Sequence, residues 1–297
     1  MTVKEYIDQW TEALKSLYSR EESKAMLATL LDAFCNLPAY TYYSDPHRLL
    51  SDESLVNLLR ASDDLLLGRP FQYILGKTLF ESCIINVREG VLVPRPETAE
   101  LVRWARTILE QKTESGSEVD GIAPLSVLDV CTGSGAIAIS LAKSFPLAEV
   151  YGVDISEEAL AIAEENAKAN NVRVRFSQAD ILQPSSSNPS FDLFISNPPY
   201  VRSSEKRFMR RNVLEYEPHI ALFVPDYDPL LFFRALADWG AALLKHGGVL
   251  MVEINEVMGE KITTLLCSKG YSAIEVRSDI NGKPRMCCAV KRTAHVQ

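Results

Sequence analysis

The sequence predicts an α/β protein in which a doubly wound, mainly parallel sheet follows a small N-terminal helical domain and a β-hairpin linker. From Ser126 onward, strand-like apolar runs alternate with helical stretches, the pattern of parallel strands joined by crossover helices. Up to Leu67, by contrast, apolar residues recur at helical spacing. Short β-prone runs broken by glycines separate the two regions. The chain is therefore divided into residues 1–68, the helical domain; 69–93, the linker; and 94–297, the sheet domain.

The helical domain is read from three apolar sets. They are Tyr6, Ile7, Trp10, Leu14 and Leu17; Met26, Leu27, Leu30, Leu31 and Phe34; and Leu55, Val56, Leu58 and Leu59. Each recurs at a period near 3.6 and reads as one member of a bundle. In the linker, Phe71–Leu75, Leu79-Phe80 and Ile84–Val87 are the β-prone runs, punctuated by Gly68, Gly76 and Gly90. Pro94-Arg95-Pro96-Glu97-Thr98 ends the extended chain, because proline removes a ladder donor and suits a helix start. Leu101, Val102, Trp104, Ala105, Ile108 and Leu109 then run as a helix, and polar residues 111–121 are expected to form an exposed loop.

Strands follow at 127–130, 150–153, 172–176, 191–196 and 249–254, with helices from Ala136 and over 157–169, 230–244 and 262–268, and two strands close the chain. In such a sheet, ligands bind beyond the carboxyl ends of the strands, where strand order reverses.

Composition narrows the function. A formal net charge of −8 on 297 residues opposes attraction to polyphosphate backbones, so direct nucleic-acid binding is not expected. The 6 cysteines form no Cys-x-x-Cys pair and the 4 histidines are scattered, so neither a metal site nor a disulfide framework is expected. Apolar runs fall far short of the ~20 residues of a membrane span. The N-terminus lacks the basic, apolar and small-residue blocks of a secretory signal. A cytoplasmic monomer without membrane association is the expectation.

The first strand ends Leu128-Asp129-Val130-Cys131-Thr132-Gly133-Ser134-Gly135-Ala136, a glycine-bearing turn that lets backbone approach a ligand closely. Gly133-x-Gly135-x-x-Ala138, with Asp154 about 20 residues on, also satisfies the dinucleotide fingerprint, and a dehydrogenase competes at this point. Asp129 tilts the balance toward S-adenosylmethionine, because a carboxylate before the glycines attracts a methionyl ammonium and repels a pyrophosphate. Asp154 ends the second strand, where it can accept from ribose hydroxyls. Asp180, in Gln178-Ala179-Asp180-Ile181, can accept from an adenine amino group.

The strongest signal is Asn197-Pro198-Pro199-Tyr200, directly after the strand 191–196. Pro198 restricts Asn197 to extended conformations and the two prolines stiffen the turn. The Asn197 carboxamide oxygen and the Pro198 carbonyl can each accept one hydrogen of a planar –NH₂, while the Tyr200 ring lies on its flat face. An amide nitrogen shares its lone pair with its carbonyl, so positioning has to compensate for weak nucleophilicity. No general base is required, because the nitrogen sheds its proton readily once methylated and cationic.

The chain resembles the HemK-like, release-factor glutamine methyltransferases of the class I S-adenosylmethionine fold. The resemblance spans Gly68–Gly76, Leu92–Thr98, the glycine loop, the acids and the tetrapeptide in family order, with Glu217-Pro218 and Asp279-x-x-Gly282-x-x-Arg285 beyond. It implies a seven-stranded Rossmann-like sheet and, as substrate, the glutamine of a release factor's Gly-Gly-Gln motif. It further implies that Asn197, Pro198, Pro199 and Tyr200 hold that amide, Asn197 also bordering the cofactor, while the N-terminal helices dock the partner. Asp129, Cys131, Thr132, Gly133, Ser134, Gly135, Asp154, Asp180 and Ile181 would form the cofactor site. Cys131 stands where the family often has glycine, and Glu253-Ile254-Asn255-Glu256 lacks the usual following glycine. Three other readings are weighed. The tetrapeptide and the basic cluster Arg202, Lys206, Arg207, Arg210 and Arg211 also suit an adenine-N6 methyltransferase, although a solvated helix face accounts for such a cluster. A ribosomal-protein glutamine methyltransferase and an inactive cofactor-binding module complete the set.

Overall fold

The computed structural model describes residues 1–115, 124–184 and 190–292. It divides into one unit of Met1–Lys77 with Arg210–Tyr216, and another of Thr78–Met209 with Glu217–Gln297. The first unit holds α1 (Val3–Ala13), α2 (Arg20–Cys35), α3 (Thr41–Ser44), α4 (Asp52–Leu66) and α5 (Phe71–Leu75). Thr2, Ser19 and Ser51 start the three long helices by accepting from the backbone N–H of Glu5, Glu22 and Ser54. Each such cap contributes ~1 kcal/mol. Tyr6, Ile7, Leu27, Leu30, Leu58 and Leu65 fill the core, and the Tyr6 hydroxyl meets Ser62 Oγ at 2.7 Å. Leu17 and Val56 are exposed, the first beyond the end of α1 and the second one position off the buried stripe of α4.

The β-prone run at 71–75 is a helix. Pro70 precedes it, Gly76 ends it in a left-handed conformation at φ 70°, and Phe71, Ile74 and Leu75 pack on the helical core. Tertiary packing here overrides the strand propensity of Phe, Tyr and Ile. The hairpin is shorter than the whole linker: β1 (Lys77–Phe80) and β2 (Cys83–Asn86) pair across Glu81 and Ser82.

In the second unit come α6 (Pro96–Ser115), β3 (Ser126–Val130), α7 (Ala136–Ser144), β4 (Glu149–Asp154), α8 (Glu157–Ala169), β5 (Arg175–Gln178), β6 (Phe191–Ser196) and β7 (Val201–Arg202). The chain then enters α9 (Arg211–Tyr216), which belongs to the helical unit. There Tyr216 Oη donates to the Leu67 carbonyl at 3.4 Å and Arg210 pairs with Glu22 at 3.7 Å. Returning, it forms β8 (Phe223–Val224), α10 (Leu231–Leu243), β9 (Leu244–Glu253), α11 (Gly259–Ser268), β10 (Tyr271–Ser278) and β11 (Pro284–Lys291). Of the loop expected at 111–121, Gln111 to Ser115 instead continue α6, and 116–121 lie outside the described residues.

Seven strands form one sheet in the order β10-β11-β9-β6-β3-β4-β5, parallel except for antiparallel β11. All five residues of β3 are buried, as a strand covered by helices on both faces must be. Order reverses at β3, whose neighbours β4 and β6 lead in opposite directions, so a crevice opens beyond the tips of β3 and β6.

Phe176 in β5 pairs with Gly152 in β4, and its ring takes the space a side chain there would fill. A Cβ at Gly152 would sit 2.6 Å from ring carbons of Phe176, whose Cζ also lies 3.2 Å from a Cβ built on Gly135. Gly152→Ala is expected to lower stability by ~1–3 kcal/mol through overpacking. Urea denaturation should show a lower midpoint at an unchanged slope; an unchanged midpoint would mean that the ring moves aside freely.

Candidate active site

Strain and buried charge shape the loop after β3. Cys131, Gly133 and Gly135 all take positive φ, at 58°, 54° and 79°. For Cys131 this is a conformation that a β-carbon disfavours. Asp129 holds the turn from below: one carboxylate oxygen accepts from Thr132 Oγ1 at 2.6 Å and from the Ala138 N–H at 3.1 Å. Its other oxygen has no partner among the described residues. Burial pushes its carboxyl up to about 7, the two hydrogen bonds opposing this incompletely. Asp154 holds the turn from the side, accepting from the Gly133 N–H at 2.8 Å and the Ser156 N–H at 3.0 Å.

A cavity of about 280 Å³ opens over this loop at the strand tips. Of the residues expected in a cofactor site, Cys131, Thr132, Gly133, Ser134, Asp154, Asp180, Ile181 and Asn197 line it. Asp129 and Gly135 do not. Asp129 is wholly buried beneath the loop, where its carboxylate organises backbone and hydroxyl donors. Gly135 faces helix contacts instead, a Cβ there lying 3.0 Å from Ala163 Cβ and Ile139 Cδ1. Ile155, Leu182 and Phe232 add apolar wall that motif reading missed, because they follow the acids or lie on a distant helix without any motif of their own.

Among the described residues, the cavity wall carries two carboxylates, Asp154 and Asp180, and no lysine, arginine or histidine. A ligand rich in N–H and O–H donors or bearing positive charge meets acceptors there, and these acceptors fit the ribose hydroxyls and amino groups of S-adenosylmethionine.

Asn197 and Pro199 line the cavity wall. The Tyr200 hydroxyl donates to Glu253 Oε1 at 2.7 Å. Glu253, the last residue of β9, is fully buried and also accepts from Thr98 Oγ1 at 2.6 Å. Thr98 Oγ1 in turn accepts from Asn197 Nδ2 at 3.1 Å. Burial drives the Glu253 carboxyl upward, against the hydrogen bonds of Thr98 and Tyr200 and the facing Arg285 guanidinium. Thr98 and Glu253 were visible in sequence only as parts of the proline-arginine signature and an acidic strand end.

A second clasp shapes the rim. Arg95 Nη2 donates to Glu217 Oε1 at 2.6 Å, and the Val93 N–H donates to its other oxygen at 3.4 Å. This ties Val91, Leu92 and Pro94 to Pro218, Ile220 and Ala221, all of which line the cavity.

The five basic residues after the tetrapeptide are partnered within the chain. Arg202 pairs with Glu205, Arg210 with Glu22 and Arg211 with Glu215, while Lys206 and Arg207 lie over the rings of Phe223 and Phe208. Among the described residues no cluster of three or more His, Cys, Asp or Glu could hold a metal, and no helix is long and apolar enough to cross a membrane.

A family profile described as a methyltransferase domain matches residues 127–214. A release factor glutamine methyltransferase of Flavobacterium psychrophilum is 39% identical over 286 residues, covering 96% of this chain and 98% of that one. One from Bacteroides thetaiotaomicron is 38% identical over 94% of this chain and 96% of its own length. A third, from Lactococcus lactis, is 34% identical, with 93% of this chain and 98% of that one aligned.

Asp129 gives a pH test of the loop. Its carboxyl rises from an ordinary 3.8 to about 7 in the fold, so the folded protein keeps a proton that the unfolded chain releases. The stability this protonation contributes is complete below pH ~4 and is lost as pH rises toward 7. Asp129→Asn preserves the shape and removes the titration. Chemical denaturation from pH 4 to 8 should show the parent losing stability relative to the variant; a pH-independent difference would place the ionised carboxylate in the fold.

Proposed function

The chain belongs to the release factor glutamine methyltransferase family, and on that premise we propose that it methylates the glutamine of the Gly-Gly-Gln motif in a peptide-chain release factor, with S-adenosylmethionine as donor. The observation that supports this most is the presence, on one cavity, of a glycine loop with two acceptor carboxylates and an asparagine whose Nδ2 is already engaged. That leaves the Asn197 carboxamide oxygen for a donor in the cavity.

When bound, S-adenosylmethionine supplies an electrophilic methyl on a cationic sulfur. Asp154 and Asp180 would accept from its hydroxyl and amino donors, the backbone of Thr132 to Ser134 would approach it, and Ile155, Ile181 and Leu182 would supply apolar contact. Asn197 takes one N–H of the glutamine amide, and the Pro198 carbonyl takes the other on entry of the side chain. Alignment of this kind removes ~7–11 kcal/mol of orientational cost in favourable systems, which suits so weak a nucleophile. The apolar rim of Val91, Leu92 and Pro94 keeps water from the methyl group.

Incubation with methyl-labelled cofactor and a release factor should label the factor and leave its Gly-Gly-Ala variant unlabelled. Label on a ribosomal protein or on adenine-containing nucleic acid alone would overturn the substrate. Asn197→Ala is expected to lower turnover by ~10²-fold or more, as loss of a preorganised polar contact does. Calorimetry should find its cofactor affinity within about threefold of the parent's; retained turnover would remove Asn197 from the reaction.

A further inference from the structure

We propose that Thr98 and Glu253 are positioning residues that fix the polarity of the Asn197 carboxamide, holding its oxygen toward the cavity and its –NH₂ away. The proposal rests on the reading of the cavity as a site for an –NH₂ acceptor. A carboxamide flipped about its last torsion keeps its shape and exchanges an acceptor for two donors. In one orientation Asn197 receives an N–H from the target; in the other it confronts that N–H with its own. The tetrapeptide stiffens the backbone but does not choose between them, so the choice has to come from what the amide touches.

Donor counting makes that choice. Glu253 lies opposite the tip of β6, whose Ser196 pairs with Val252 on β9. With the Arg285 guanidinium facing it, its two oxygens accept from Tyr200 Oη at 2.7 Å and Thr98 Oγ1 at 2.6 Å. A threonine hydroxyl has a single proton. Once it is given to Glu253, Thr98 offers Asn197 only a lone pair, and Nδ2 answers it at 3.1 Å. The carboxamide is planar, so Oδ1 points away from Thr98. Thr98 and Glu253 are 4% and 1% exposed, so water does not compete for these bonds. Three segments distant in sequence, the first turn of α6 and the ends of β6 and β9, thus meet to set one torsion angle.

The test uses the full-length chain with labelled cofactor and release factor. Thr98→Val keeps the volume and deletes the lone-pair acceptor, and kcat should fall ~10- to 100-fold, the cost of one mispaired buried hydrogen bond, with KM for the factor and cofactor affinity little changed. Thr98→Ser should restore kcat to within about threefold. Glu253→Gln, which can present an N–H to Thr98 and turn its proton toward Asn197, should lose at least as much as Thr98→Val; thermal melts confirm that each variant is folded. A Thr98→Val enzyme with kcat within threefold of the parent, or a folded Thr98→Ser enzyme as impaired as Thr98→Val, would overturn the proposal. Nuclear magnetic resonance separates this from the substrate reading. In the parent, the Asn197 side-chain –NH₂ should exchange slowly with solvent, and in Thr98→Val it should exchange fast, whichever acceptor is methylated. Equal exchange in both would overturn it independently.

Discussion

Ser196 lies opposite Val130 at the ends of two adjacent parallel strands, and its buried hydroxyl donates to the Val130 carbonyl at 2.6 Å. That bond ties the two strand tips together where the glycine loop departs. Everything chemical in the molecule is built outward from this point. One strand releases the loop that approaches the cofactor, and the other releases the turn that holds the acceptor.

Three buried carboxylates do the joining around that edge, each in a different way. Asp129 organises a single turn, and burial holds its carboxyl above the ordinary carboxylate range. Glu217 is paired to Arg95 and ties two rim segments together. Glu253 gathers hydroxyls from α6 and from the turn after β6. A buried charge is costly unless its lone pairs are filled, and that cost makes such groups stringent about geometry. Removing any partner leaves an acceptor stranded, so these segments hold their arrangement more firmly than apolar contact alone would require.

Much of this was legible in the chain. Alternation of apolar runs located β3, β4, β6 and β9, because a covered parallel strand needs a continuous hydrophobic segment; β5 was read three residues early, at 172–176, because its own residues are mostly exposed. Glycines at 133 and 135 and the acid at 154 located the cavity, since only a tight turn and a strand-tip carboxylate explain them together. What escaped had one of two physical causes. Residues 71–75 look like a strand by composition, yet Pro70, Gly76 and a neighbouring apolar core make them a helix. The partners that Asp129 and Tyr200 take within the fold, Thr132 and Glu253, were not legible, because side-chain direction is set only by the folded backbone. Thr98 was visible only as the end of the proline-arginine signature, because its contact with Asn197 and Glu253 exists only after three distant segments meet.

The excursion of Arg210–Tyr216 into the helical unit has a consequence for how the chain comes apart. Two units joined by one strand of polypeptide separate at a single scission. Here cleavage between Lys77 and Thr78 would leave α9, still covalently part of the other fragment, seated among the N-terminal helices by Tyr216 and Arg210. Such a nick would therefore leave the segments of the helical unit on two different fragments.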